Sequence, residues 1–157
     1  MKPLFPDVIV NGEKISAANI AAEAQMHNAP AGKPGLAWRA AARALVVRKL
    51  LIEAALRSDT DATPIQLDDS RFESADEALI RAYLESEIDP PPVTEAHCRA
   101  VYEARPSEAK DVSYDQAIKA LLEGLERAAW AKSAHTLVER LVSEARVEGI
   151  DLVAMKA

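Results

Sequence analysis

The sequence predicts a mainly α protein with a long C-terminal helix and a small two-stranded ribbon that pairs the N- and C-terminal segments. Strong helix formers fill residues 36–57 without an interrupting Gly or Pro. A second long helical pattern covers residues 114–147. Two short strand patterns, at residues 8–10 and 147–153, predict the ribbon, because isolated strands are marginal and need a partner.

Residues 36–57 are the predicted central helix. At about 100° per residue, one face collects apolar side chains and is widened on one side. The aligned positions are Trp38, Ala41, Leu45, Ile52 and Leu56, with Ala37, Ala44, Leu51 and Ala55 beside them. An apolar arc this wide needs partners on more than one side, so we expect Leu45 at the centre of a buried face.

The length, composition and charge limit the class of protein to which the chain can belong. A length of 157 residues predicts one domain over 1–157 with a proper core. Aromatic residues make up only 4%, so the core is expected to consist of Ala, Leu, Val and Ile. The net charge of -6 argues against a nucleic-acid partner, because phosphate binding needs a concentrated basic surface. The single Cys98 cannot form an internal disulfide and is expected to be buried and inert.

The chain shows no targeting signal. Its first ten residues include one Lys, two Pro and an Asp, and they lack the apolar region of a signal peptide. No apolar run approaches the roughly 20 residues needed to cross a bilayer. We therefore expect a cytoplasmic protein without a membrane partner.

Turn and capping residues place the first elements. Asn11-Gly12 is a strong turn dipeptide, and Ser16 is a suitable N-cap for a helix that extends to about Met26. A loop with two Pro and two Gly follows over residues 28–35 and leads into the central helix.

Residues 58–73 are polar and acidic, so we expect a mobile surface segment there, attached through Ile65 and Leu67. Three N-caps then open the remaining helices, two of them with a Glu or Gln that completes a capping box. These caps are Ser74 with Glu77, Thr94, and Ser113 with Gln116.

The apolar stripe of the last helix changes sides. Its first half aligns Ile118, Leu122, Leu125 and Ala129, and its second half aligns Ala134, Leu137, Leu141 and Ala145. The two stripes are rotated by roughly 160° from each other. Either the helix breaks near residues 128–132, or its halves pack against different bodies. A second subunit is one such body, which raises the alternative of a homodimer through the C-terminal helix.

No residue pattern predicts catalysis, a cofactor or a metal site. The three histidines, His27, His97 and His135, lie on three separate predicted helices, and no H-E-x-x-H or C-x-x-C pattern occurs. A Gly-rich phosphate loop and a G-x-S-x-G motif are also missing from the sequence.

Five stretches together carry a family resemblance: VNGEKIS, AARALVVRKLLIEAA, DEALIRAYLESEI, PPPVTEAHCRAVYEARP and ARVEGIDL. In this order they resemble the chaperone portion of SurA-like and NifM-like parvulin peptidyl-prolyl isomerases. The resemblance implies a SurA-N-like helical domain that cradles client polypeptide. Residues 1–104 then form its N-terminal part, and residues 113–157 form the returning C-terminal helix and strand.

The chain departs from this family at residues 105–112. In the family, a parvulin isomerase domain is inserted at this place, whereas here a short polar link leads directly into the returning helix. The catalytic residues of the family therefore have no positions to which they could correspond. The resemblance thus implies a parvulin-family chain without its catalytic domain, and it argues against isomerase activity.

Three functions stay open from the sequence. The first is a chaperone-like or assembly-factor protein that binds extended or partly folded polypeptide without isomerase activity. The second is an enzyme related to peptidyl-prolyl isomerases, and the third is a structural or regulatory homodimer. For the first, the expected peptide-binding residues are Trp38, Leu45, Tyr83, Tyr102 and Trp130.

Overall fold

A computed structural model describes residues 5–28, 32–106 and 111–152. The helices are α1 Ala17–Ala24, α2 Pro34–Arg57, α3 Ala75–Glu87, α4 Glu95–Glu103 and α5 Tyr114–Glu144. The strands are β1 Val8–Val10, β2 Glu13–Ile15, β3 Gln66–Asp68, β4 Arg71–Phe72 and β5 Val147–Glu148. These elements confirm a mainly α fold with a long C-terminal helix and small antiparallel sheets that include N- and C-terminal strands.

The chain divides into two compact units. Unit 1 contains the described residues of Met1–Leu84 and Val138–Ala157, and unit 2 is Glu85–Leu137. The chain passes from one unit to the other within α3 and again within α5. A single domain over 1–157 stays a prediction, and residues 107–110 of the predicted link lie outside the described residues.

The N-terminal sheet has three strands in the order β2-β1-β5, all antiparallel. Positive φ angles of 49° at Asn11 and 86° at Gly12 give the two-residue turn between β1 and β2. Pairing of Val10 with Val147 confirms that the two ends of the chain share a sheet. The prediction of only two strands is wrong, because the polar stretch Glu13–Ile15 forms an edge strand, where polar side chains are common. Val153 of the predicted terminal strand lies outside the described residues.

Helix α2 is buried along two rows of side chains rather than along the predicted central line. One row contains the predicted Ala41, Leu51 and Ala55, and the other contains Ala42, Val46, Leu50 and Ala54. Between them, Leu45 and Ile52 are only half-buried, and Leu56 is 61% exposed. The prediction that Leu45 marks the centre of a buried face is therefore wrong. Helix α1 and strand β1 pack against α2, but this line of side chains stays open.

The four predicted N-caps and the capping box of α5 are confirmed, whereas the Glu77 carboxylate accepts a hydrogen bond from Arg71 at 3.3 Å instead of completing a box with Ser74. In the capping box of α5, Ser113 Oγ accepts a hydrogen bond from the Gln116 amide at 3.3 Å, and Gln116 Oε1 accepts one from the Ser113 amide at 3.2 Å. The other capping side chains also accept hydrogen bonds from backbone amides three residues later, and they are Ser16, Ser74 and Thr94.

A β-hairpin, β3–β4, occupies the segment that the sequence predicts to be irregular. The side chains of Ile65 and Leu67 are exposed and do not attach it, although the sequence predicts that they would. Instead, the buried carboxylate of Glu73 accepts hydrogen bonds from the Ile65 amide at 3.0 Å and from Arg81 Nε at 2.9 Å. A polar contact between residues eight positions apart leaves no periodic signal in the sequence.

Helix α5 is continuous, so the alternative of a break near residues 128–132 is wrong. Leu137 and Leu141 are buried, as the second predicted stripe requires, and Leu121 is buried in the first half. Residues up to Leu137 belong to unit 2 and those from Val138 to unit 1. The first stripe therefore lies in unit 2, whereas the second begins in unit 2 with Ala134 and Leu137 and continues into unit 1 with Leu141 and Ala145.

Candidate functional site

Unit 1 contains an apolar depression between α2 and β2, here called the α2 groove. It has a volume of about 500 Å³. Its apolar wall consists of Ile15 on β2 and Leu45, Ile52 and Leu56 on α2. Leu45 and Ile52 are seven residues apart and Leu56 follows four later, so all three project from one face of the helix. The open line on α2 described above is the wall of this groove.

A charged network crosses the α2 groove and joins β2 to α2. The ammonium group of Lys49 binds the carboxylate of Glu13 and lies 3.6 Å from Glu53 Oε1. Glu53 Oε2 in turn accepts a hydrogen bond from Asn11 Nδ2 at 2.8 Å. The hydrogen bond to Glu13 raises the pKa of Lys49, so its ammonium group stays charged at neutral pH. The network therefore ties the β1–β2 hairpin to the helix and holds the two sides of the groove together.

Unit 2 contains a second depression, with a volume of about 610 Å³. Pro90, Pro91 and Pro92 form one side, and Leu125 and Ala129 of α5 form another. The same lining includes His97 and Lys132. Its lining is largely apolar and includes no carboxylate, and the described residues of unit 2 form no strand.

Two of the predicted peptide-binding residues lie on α2 in unit 1. Leu45 is in the wall of the α2 groove. Trp38 stacks on Phe5, with ring centroids 4.5 Å apart, and lines a smaller hollow that shares Ile15 with the groove. The structure therefore places both residues along the same side of unit 1.

The other three predicted residues do not line the α2 groove. Tyr83 is 3% exposed in the core of unit 1, which leaves it little surface to contact a peptide. Tyr102 in unit 2 donates a hydrogen bond from its hydroxyl to the Val112 carbonyl at 2.6 Å. Trp130, also in unit 2, is 43% exposed on α5.

Sequence reasoning missed Ile15 and Lys49 as groove residues. Lys49 lies about 40° from Leu45 around the helix, and Arg48 lies about 60° away on the other side. Charged side chains on both flanks of an apolar line indicate that the line is open to solvent, because an unpaired charge is costly to bury. The two charged flanks are visible in the sequence, but the aligned apolar residues between them predict a buried face instead.

Two further properties bear on the class of site. Among the described residues, His, Cys, Asp and Glu nowhere form a group of three or more that could hold a metal ion. Over residues 5–28, 32–106 and 111–152, each helix is too short or too polar to serve as a membrane span. The α2 groove offers aliphatic side chains and charged rims, which suit a polypeptide ligand.

Comparison of the chain with protein-family models, with curated protein sequences and with solved structures finds no match. The resemblance to SurA-like and NifM-like parvulin proteins therefore stays a prediction from the residues.

Proposed function

We propose that this chain is a chaperone-like or assembly-factor protein that binds extended or partly folded polypeptide, without isomerase activity. The single observation that carries the proposal is the apolar wall of the α2 groove. A central helix of a small domain normally buries its whole apolar arc, yet here Leu56 is 61% exposed, and Leu45 and Ile52 are only half-buried. This surface is available to the apolar side chains of a client.

The size of the groove suits reversible binding. Burial of one aliphatic side chain contributes about 1.5–3 kcal/mol, part of which is lost to the ordering of a flexible client. A volume of about 500 Å³ has room for only a few such side chains. We therefore expect micromolar rather than nanomolar binding, which permits release of the client.

The SurA-N-like arrangement and a cytoplasmic location belong to the same proposal. The order of the five resembling stretches and the pairing of β1 with β5 support the first. The buried, free Cys98 supports the second, because a fold that uses no disulfide suits a reducing compartment. A cis–trans isomerisation assay with a proline-containing peptide tests the lack of isomerase activity. An isomerisation rate above that in buffer alone would contradict this part of the proposal.

An aggregation-suppression assay with a chemically denatured client tests binding in the α2 groove. The wild-type chain at several-fold molar excess should suppress light scattering. Ile52→Asp places a carboxylate in the apolar wall and should abolish most of the suppression. Leu67→Asp makes the same kind of change on the exposed β3 strand, outside the groove, and should leave suppression intact.

Two results would contradict the proposal. A wild-type chain that does not suppress aggregation would remove its basis. Equal loss in both variants, or in neither, would show that the groove is not the binding surface. Circular dichroism on both variants is the control for folding.

A homodimer is a second candidate function, favoured by Trp130. This large aromatic side chain is 43% exposed on α5, and Trp residues are enriched as anchors at protein interfaces. Light scattering on a size-exclusion column should give twice the chain mass of 17.0 kDa for the wild type. Trp130→Glu should then return the mass to that of one chain. A single-chain mass for the wild type would exclude the dimer.

A further inference from the structure

Strand β2 forms one wall of the α2 groove and is also an edge of its sheet. The strand order is β2-β1-β5, so β1 is the central strand. Within residues 5–28, 32–106 and 111–152, no strand pairs with the outer side of β2. An edge strand presents backbone donors and acceptors that another extended chain can bind.

The register identifies the backbone groups that face outward. The two-residue turn at Asn11-Gly12 makes Val10 and Glu13 the closing hydrogen-bonded pair of the hairpin. Hydrogen-bonded and non-hydrogen-bonded pairs alternate along antiparallel strands, so Ile9 and Lys14 form a non-hydrogen-bonded pair. The backbone N–H and C=O of Lys14 therefore point away from β1, toward the free edge.

The free edge and the apolar wall lie in the same groove. Ile15 is directly opposite Val8, so the two side chains share one face of the sheet, and Val8 is fully buried. Ile15 and Lys14 both line the α2 groove together with Ile52. A strand added beside β2 would direct every second side chain to this face. Backbone pairing and apolar contact would then act on the same segment of polypeptide.

A cation beside the free edge favours acidic residues at the other alternate positions of an added strand. The side chains on the groove face are balanced in charge, with Arg48 and Lys49 against Glu13 and Glu53. The Lys14 side chain projects from the opposite face of β2, because Lys14 pairs with Ile9 and alternates with Ile15. Lys49 engages both carboxylates. The ion pairs of the other two cations are solvent-exposed, at 3.3 Å from Lys14 to Asp7 and 3.8 Å from Arg48 to Asp76, and such pairs contribute little. Lys14 can therefore pair with an acidic residue directly opposite it on an added strand, and a cross-strand pair of opposite charge is stabilising.

We infer that the occupant of the α2 groove is an extended segment with alternating apolar and acidic residues, which pairs with the Lys14 backbone and adds a fourth strand to the sheet. This inference rests on the proposed polypeptide-binding function and specifies the conformation and chemistry of the client. Main-chain hydrogen bonds supply sequence-tolerant affinity, and the wall selects alternate apolar side chains.

Three peptides separate edge pairing from simple apolar contact. The first is a fluorescein-labelled nine-residue peptide of alternating valine and glutamate, measured by fluorescence anisotropy against the full chain. The second is the same peptide with every backbone amide N-methylated, which removes its backbone donors and blocks both of its edges. The third has lysine in place of every glutamate. The first should bind, and the other two should each bind at least about tenfold more weakly, since two backbone hydrogen bonds are lost in the second.

Two variants test the same pairing from the side of the protein. Lys14→Pro removes the outward-facing N–H, a substitution that edge strands tolerate because that N–H has no partner in the sheet. Lys14→Ala removes only the side-chain charge and is the matched control. The first peptide should bind about tenfold more weakly to Lys14→Pro than to Lys14→Ala. The N-methylated peptide keeps the inference testable if Lys14→Pro does not fold.

The outcomes distinguish this inference from the proposed function. If the wild-type chain binds the unmodified and the N-methylated peptide equally, edge pairing is overturned while polypeptide binding stands. If it binds none of the three peptides and also fails to suppress aggregation, the proposed function itself fails. If the lysine peptide binds as well as the glutamate peptide, the acidic preference is overturned.

Discussion

At the scale of single residues, Gly149 has the tightest backbone environment among the glycines of the described chain. Its φ is 90°, which L side chains rarely adopt, and a Cβ built there would overlap the Asp7 carbonyl oxygen and lie 2.8 Å from the carbonyl carbon. We expect Gly149→Ala to lower the free energy of unfolding by more than about 2 kcal/mol, measured in urea.

Gly12→Ala is the matched control for that prediction. Gly12 has a similar φ of 86°, but its Cβ position meets no atom within 4 Å. Gly12→Ala should therefore lower the free energy of unfolding only by the conformational strain, about 1–2 kcal/mol. Equal losses in the two variants would show that the contact between Gly149 and Asp7 does not constrain the sheet.

Glu73 gives a prediction about pH. Its hydrogen bond from Arg81 lowers the pKa of this carboxyl below the ordinary value of 4.5. Its contribution to stability is therefore fully present above pH 4.5 and is lost as the pH falls through the lower, folded-state pKa. At neutral pH, Glu73→Gln should unfold at a lower urea concentration than the wild type, and the difference should shrink toward zero at acidic pH. A difference that does not change with pH would contradict the ionic role.

At the scale of elements, the two kinds of apolar position on α2 should respond differently to truncation. Leu50 lies in a buried row, so Leu50→Ala should cost about 2–5 kcal/mol of unfolding free energy. Leu56 lies in the open groove wall, so Leu56→Ala should change stability by less than about 0.5 kcal/mol. Thermal and urea denaturation measure both. A loss of several kcal/mol at Leu56 would mean that the groove is part of the core.

Local chemistry explains which elements could be predicted from sequence. Ser113 and Gln116 bond to each other across one turn, and Asn11-Gly12 forms a turn on its own, so neighbouring residues contain the whole signal. The hairpin β3–β4 depends instead on Glu73 and its contact with Arg81, which the chain brings together only when it folds.

The candidate site could be predicted only in part for a related reason. Periodicity identified the line of Leu45 and Ile52 on α2, but it cannot say whether a neighbouring element covers that line. The contact between Lys49 and Glu13 joins residues 36 positions apart and defines the second side of the groove. The location of β2 at a sheet edge likewise follows from the strand order, which no single segment encodes.

At the scale of the whole molecule, α5 carries the chain from unit 2 into unit 1 as one helix of 31 residues. Ala131 is exposed and lies within residues 128–132, where the change of stripe allows a break in the helix. Ala131→Pro should lower the free energy of unfolding by about 3 kcal/mol or more, because proline removes a helical hydrogen bond and clashes with the preceding turn. Ala131→Gly should cost only about 1 kcal/mol. Similar, small effects of both variants in urea denaturation would indicate an interrupted helix.

The pairing of β1 with β5 also sets a time at which folding can finish. Asn11 and Arg146, 135 positions apart, exchange hydrogen bonds where these strands meet. During synthesis β1 therefore waits for β5 to leave the ribosome, on the order of 10 s at ordinary elongation rates. Throughout that interval the strand that carries Val8 and Val10 has one edge uncovered, and uncovered edges recruit other chains. A protein proposed to bind other polypeptides thus depends, while it is being synthesised, on the uncovered edge of its own β1 not pairing with another chain.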